Sequence, residues 1–145
     1  MKTGSDKQVI LSIYTDGGSR GNPGKAATGF VFYLDGEEKK RAGHYIGIQT
    51  NNVAEYQAFL SSLIEFLDHK DEFSISEICW FLDSKLVVEQ LNNRWRVKEV
   101  GLLSLWKECK KLLSTLAAPY TISYIPRENN AVADGVVNQT LDEMT

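Results

Sequence analysis

The chain has 145 residues, of which 43% are hydrophobic and 24% charged. That is enough for one compact domain with a sizeable core and too little for two ordinary ones. Eleven glycines and three prolines exclude a collagen-like repeat or a long disordered tail, and a net charge of −3 excludes a protein held on nucleic acid by bulk charge alone. A polyanionic partner would need a local basic patch, or metal ions at the point of contact.

No apolar run approaches the ~20 residues of a membrane-spanning helix. The polar stretch at residues 1–8 lacks the core of a secretory signal and is expected to be a flexible segment, leaving 9–145 as a single domain. Cys79 and Cys109 each lie in an apolar stretch and show no CxxC or Cys/His spacing, so buried thiols in a reducing compartment are expected rather than zinc. The expectation is a cytoplasmic monomer with no membrane partner.

In chain order, the nearly continuous apolar run Val9–Tyr14 reads as a strand buried on both faces, central in a sheet. The glycine-rich stretch GGSRGNPG (17–24) follows and carries turn chemistry at Asn22-Pro23-Gly24. Gly29–Leu34 is a second strand, and Asp35-Gly36 turns it into a third around Lys40–Ile48. Between Asn52 and Leu67 the period changes: Val53, Tyr56, Phe59, Leu60, Leu63, Ile64 and Leu67 predict a helix with one buried face. Glu77–Leu82 is a fourth strand, Asp83-Ser84 caps a short helix over 84–92, and a longer helix runs from Gly101 to about Leu116. Pro119 precedes a fifth strand, Tyr120–Ile125; residues 126–130 form a loop, and the last helix runs from Ala131 to about Asp142. The order β-β-β-α-β-α-α-β-α implies an α/β fold, a mixed sheet covered by helices.

Four acids sit where a core does not ask for them: Asp16 and Asp83 at strand ends, Glu55 in the first turn of the long helix, and Asp134 within the last helix. In open α/β sheets, ligands bind at the carboxyl ends of strands where the strand order reverses. Each acid taken singly has a plainer account: a helix cap for Asp83, a helix-dipole partner for Glu55, a turn residue for Asp16, a solvated position for Asp134. Taken together they offer hard oxygen ligands, which select Mg²⁺ or Mn²⁺, and two such ions can run in-line phosphodiester hydrolysis.

The segments YTDGGSRGNPG (14–24), TNNVAEY (50–56), LDSK (82–85) and IPRENNAVAD (125–134) resemble those of ribonuclease H type 1, in that family's order and over nearly the whole chain. The resemblance implies a ribonuclease H-like fold with a five-stranded mixed sheet. It also implies hydrolysis of the RNA strand of RNA–DNA hybrids with two divalent metal ions, Mg²⁺ or Mn²⁺ in its place, leaving 3′-hydroxyl and 5′-phosphate ends. Asp16, Glu55, Asp83 and Asp134 then become the catalytic, metal-binding acids. Gly17, Gly18, Asn51 and Asn52 become the residues that read the minor groove, where 2′-hydroxyls distinguish RNA from DNA. A tight turn for the glycines and a helix N-cap for Asn52 are compatible readings.

The stretch NNRWRVK (92–98) places three cations around Trp95, suited to phosphate contact and stacking; a solvated loop anchored by Trp95 is the alternative. It is too short for the basic extension of some family members, so the chain resembles the compact form. The loop before Asp134 lacks the histidine many members carry and offers Arg127 and Glu128 instead. Arg127 is a candidate for contact with the scissile phosphate or for product release, although it cannot shuttle protons near neutral pH; its rival role is a salt bridge to Glu128 or to a nearby helix. Gly135, inside the last helix, is read as a position that lets the helix approach the acids. A non-catalytic nucleic-acid-binding module, and a nuclease of this fold acting on double-stranded RNA or a DNA strand, remain as alternatives.

Overall fold

The computed structural model describes residues 8–144. The expected flexible segment, Gln8 apart, lies outside the described residues. The elements follow the expected order: β1 (Ile10–Gly21), β2 (Gly24–Leu34), β3 (Glu37–Gln49), α1 (Asn51–Asp68), β4 (Glu77–Leu82), α2 (Lys85–Leu91), α3 (Val100–Leu113), β5 (Tyr120–Tyr124) and α4 (Ala131–Glu143). One five-stranded sheet has the order β3-β2-β1-β4-β5. β1 is central, antiparallel to β2 and parallel to β4, so the topology switches direction at β1.

One face of β1 presents Leu11 and Ile13 to α1, and with Phe30, Phe32, Tyr56, Phe59, Leu63, Ile78, Trp80 and Leu82 they form the main core. Burial of this apolar surface is the dominant stabilising term. Trp80 is fully buried there and its indole N–H donates to Ser62 Oγ at 3.0 Å, so the largest core side chain leaves no polar atom unpaired. α4 covers part of the opposite sheet face, with Val137 and Leu141 packed on Ala27.

Several details differ from expectation, among them the start of β2 at Gly24 rather than Gly29. β1 does not stop at Tyr14. It runs on through the glycine-rich stretch, paired with β2 from Leu11↔Leu34 to Gly21↔Gly24, so Asn22 and Pro23 alone turn a long hairpin. Side-chain periodicity cannot report a strand whose residues have no side chains, and cross-strand hydrogen bonding decides the matter. The pairing of β1 with β4 ends sooner, at Thr15↔Leu82. Asp16 therefore lies inside the strand, at the point where β1 parts from β4.

The buried face of α1 is also rotated. It carries Ala54, Glu55, Tyr56, Ala58, Phe59, Ser62, Leu63 and Phe66, while Ile64 is 42% exposed. Small residues at 54, 58 and 62 bring the helix axis close to the sheet, and they carry no apolar signal strong enough to mark the face. Finally, Thr50 rather than Asn52 is the N-cap of α1, accepting from Val53 N at 3.2 Å.

Asp35 and Gly36 both adopt positive φ, as a two-residue turn between twisted strands requires. Cys79 and Cys109 are free, the latter buried. No helix among the described residues is long and apolar enough to cross a membrane.

Candidate active site

The four acids come from four elements. Asp16 projects from β1, Glu55 from the second turn of α1 and not the first as expected (the helix starts at Asn51), Asp83 follows the end of β4, and Asp134 stands in the first turn of α4. Carboxylate oxygens of Asp16, Glu55 and Asp83 all lie within 4.8 Å of one another. Asp134 is outside that group of three but borders Asp16 closely enough for the two carboxyl groups to share a hydrogen bond. Ser84, not Asp83, caps α2 by accepting from Val87 N at 3.3 Å. The capping account of Asp83 thus falls away, and its carboxylate is left to the cluster.

Burial and crowding act on these groups in the same direction. The Asp16 carboxyl is pushed up to about 8, chiefly by burial and then by the charges of Asp83 and Asp134, while a hydrogen bond from the Gly17 amide opposes the rise. Glu55 is held well above the ordinary carboxylate range, by burial first and next by repulsion from Asp16 and Asp83. Such a site favours a neutralising cation, and its donors are all hard oxygens. Among the described residues no histidine or cysteine joins them, so the set suits Mg²⁺-like ions better than zinc.

Backbone geometry holds the acids together. The Gly17 amide donates to Glu55 Oε1 at 2.9 Å, binding α1 to β1 beside Asp16. α4 approaches the sheet over glycines: a Cβ on Gly29 would lie 2.9 Å from Ala133 O, and one on Gly43 would lie 2.9 Å from Val136 Cγ1. Gly135 plays no such part, since a Cβ there would meet nothing within 4 Å. Close approach of the last helix is therefore a property of β2 and β3, not of the helix's own glycine.

The expected substrate-contact residues spread around this centre. Gly17 is buried beneath α1, whereas a Cβ on Gly18 would make only ordinary contact with Val137 at 3.8 Å. Asn51 is exposed and already used: its Oδ1 accepts from Ser19 N at 2.9 Å, and its own amide donates to Asn22 Oδ1 at 3.0 Å. The tip of the β1–β2 hairpin is thereby tied to the start of α1. Asn52 is half-buried in the first turn of α1. Arg127 is exposed in a 3₁₀ turn over Arg127–Asn129, and it forms no ion pair with Glu128.

Trp95 stands away from the acids, in the connection between α2 and α3, and is 44% exposed. It borders a groove of about 470 Å³ with Leu86, Arg96, Lys98 and Leu102. Of the neighbouring cations, Arg94 is engaged by Glu89 through two bonds of 2.8 and 2.7 Å, leaving Arg96 and Lys98 as the charges that face outward.

One residue of the site escaped the sequence reading. Asn130 is 1% exposed, and its Nδ2 donates both to Thr15 O at 2.9 Å and to Asp83 Oδ2 at 3.1 Å. An asparagine just before a helix reads as a cap, yet its side chain caps nothing here. The signal that could have found it is its place four residues before Asp134, one helical turn from an acid of the cluster.

A mixed sheet that switches direction at its central strand, with an acid cluster at the switch point, defines a ribonuclease H-like domain. A family model described as "Reverse transcriptase-like" matches residues 14–140. Ribonuclease HI of Halobacterium salinarum is 37% identical over 139 residues, covering 95% of this chain and 67% of that protein. The crystal structure of RNase H1 from the same archaeon superposes with a TM-score of 0.85 at 36% identity, over 92% of this chain and 98% of that one. LC11-RNase H1, solved in complex with an RNA/DNA hybrid, gives a TM-score of 0.87 at 36% identity and the same coverage. The chain belongs to the ribonuclease H type 1 family. It spans only about a third (35%) of the bifunctional protein Rv2228c of Mycobacterium tuberculosis, to which it is 40% identical over 135 residues.

Proposed function

We propose that this chain is a metal-dependent endoribonuclease that hydrolyses the RNA strand of RNA–DNA hybrids, leaving 3′-hydroxyl and 5′-phosphate ends. The observation that carries the proposal is the convergence of Asp16, Glu55 and Asp83 within 4.8 Å, with Asp134 beside Asp16. Kinship with a structure that contains an RNA/DNA hybrid supports the substrate class.

Asp16, Glu55, Asp83 and Asp134 would hold Mg²⁺, or Mn²⁺ in its place, as a pair of ions in the substrate complex. When bound, the ions supply activation of a water and stabilisation of the leaving oxygen. The chain's own residues then orient and select. Gly18 lets the backbone approach a minor groove, and Asn52, in the first turn of α1, carries an amide suited to 2′-hydroxyls and base edges. Asn51 can use its Nδ2 toward substrate, because only its Oδ1 is committed to Ser19. Gly17 acts beneath the surface, by admitting α1 so that Glu55 reaches Asp16. Trp95, with Arg96 and Lys98, is suited to the phosphates and sugars of a strand further along the duplex. Arg127, free of an ion pair with Glu128, is suited to the scissile phosphate or to releasing the product. The domain is read as spanning residues 9–145 and acting as a cytoplasmic monomer.

The deciding experiment is cleavage of a labelled hybrid with Mg²⁺, with EDTA, and with Asp83→Asn. Metal-dependent cutting of the RNA strand that is lost in the variant is the expected result. Folded protein that leaves the hybrid intact in both Mg²⁺ and Mn²⁺ would instead favour a binding module. Matched double-stranded RNA and DNA duplexes in the same assay define the substrate range.

A further inference from the structure

A buried asparagine whose two amide protons go to different elements is an uncommon device. It removes a polar group from water and recovers the cost only through the bonds it makes. Asn130 donates to the carbonyl of Thr15, the residue before Asp16 on β1, and to Oδ2 of Asp83 at the end of β4. Its backbone carbonyl accepts the Asp134 backbone amide at 3.1 Å, the first helical bond of α4. One residue is thus bonded into the three segments that bear Asp16, Asp83 and Asp134. The fourth acid, Glu55, is held by the separate bond from Gly17.

The Asp83 bond has a further effect. With Oδ2 turned toward Asn130, Oδ1 is the oxygen left for another partner, and rotation of the carboxylate is restrained. A group that orients a ligand without touching the ion commonly alters metal affinity by 10–100-fold. We infer that Asn130 is the positioning residue of the acid cluster: through its side-chain amide it selects which Asp83 oxygen faces the cation and holds β1, β4 and α4 at the spacing that cation requires. This inference rests on the metal-dependent reading given above.

Its test measures Mn²⁺ binding to the protein without substrate, by the electron paramagnetic resonance signal of free Mn²⁺, for the wild type, Asn130→Ala and Tyr56→Phe. Tyr56 lies in the core, so its variant reports what lost stability alone does to metal binding. The expected result is about tenfold or greater weakening for Asn130→Ala, near wild-type affinity for Tyr56→Phe, and a matching rise in half-saturating Mg²⁺ during cleavage with KM for the hybrid unchanged. Equal Mn²⁺ affinity in the wild type and Asn130→Ala would overturn the positioning role while leaving the nuclease reading intact. A wild type that binds no Mn²⁺ would overturn both. A second measurement needs no variant: the side-chain amide resonances of Asn130 in the ¹⁵N-labelled wild type should shift as Mg²⁺ is added. Resonances that stay fixed through saturation would overturn the inference even where Asn130→Ala fails to fold.

Discussion

The amide of Gly17 donates to Glu55 Oε1 at 2.9 Å, and the same glycine leaves no space for a side chain, because a Cβ there would lie 2.2 Å from the carbonyl carbon of Ala54. The bond and the exclusion are one relationship. The glycine allows the first turn of α1 to rest on β1, and that contact delivers a buried carboxylate beside Asp16. Gly17→Ala should therefore force α1 outward, lowering stability by roughly 1–3 kcal/mol, as overpacking typically does, and depressing cleavage because Glu55 moves with the helix. Thermal unfolding with a parallel activity assay checks this.

Gly135→Ala is the contrasting substitution. The position is exposed, helical and open to a Cβ, so the change should stabilise by about 0.5–1 kcal/mol through helix propensity. A fall in melting temperature would show that α4 is packed more tightly than its surroundings indicate.

Asp16→Asn and Asp83→Asn should each abolish cleavage. Without divalent ions, both variants should melt above the wild type, because each removes one of several like charges held together. Circular dichroism melts in EDTA, set beside single-turnover cleavage, separate the two effects. Retained turnover in either variant would remove that acid from the site.

The stability of the metal-free protein should depend on pH in a definite direction. The Asp16 carboxyl is raised from 3.8 to about 8, so between those values the folded state binds more protons than the unfolded chain. Stability declines with rising pH across the range in which the folded state holds the extra proton, so this contribution is fully present below pH 4 and is lost as pH rises through 8. Glu55 is shifted in the same direction and adds to the effect. Melting in EDTA should thus decline toward alkaline pH after correction for the rest of the chain, and Mg²⁺ should raise the melting temperature more at pH 8 than at pH 5. Equal Mg²⁺ effects at both values would contradict the assignment of the acids as the cation site.

Arg127→Ala should reduce turnover with little change in KM, since the residue is placed on an exposed turn next to the acids' helix and not in a packed contact. Trp95→Ala should do the reverse, raising KM several-fold with turnover kept, because it removes a surface for stacking far from the chemistry. A wild-type KM in Trp95→Ala would reduce Trp95 to an anchor for its own loop.

Much of this was legible in the sequence. The element order, the central position of β1 and the residues Asp16, Glu55, Asp83 and Asp134 all follow from patterns of side chains and from family resemblance. What was not legible depends on atoms that leave no pattern. The continuation of β1 through Gly17, Gly18 and Gly21 is a matter of backbone pairing, and the rotated face of α1 is set by Ala54, Ala58 and Ser62, whose smallness is their contribution. Gly135 attracted attention as a glycine within a helix, yet the spacing of α4 is governed by Gly29 and Gly43 across the interface. Asn130 was hidden for a similar reason: both its partners are distant in sequence, and a buried amide has no period.

The bond from Asn130 to Thr15 spans 115 positions of the chain. Synthesis proceeds from the amino terminus, so the strand carrying Asp16 is made long before the helix carrying Asp134. All five strands precede α4 in the chain, whereas the cluster needs a residue of α4 itself. Within this domain the acid cluster is consequently completed only by its last helix. A truncated product ending before residue 130 would keep β1, α1 and β4 with three of the acids, but would lack Asp134 and the Asn130 bonds to Thr15 and Asp83.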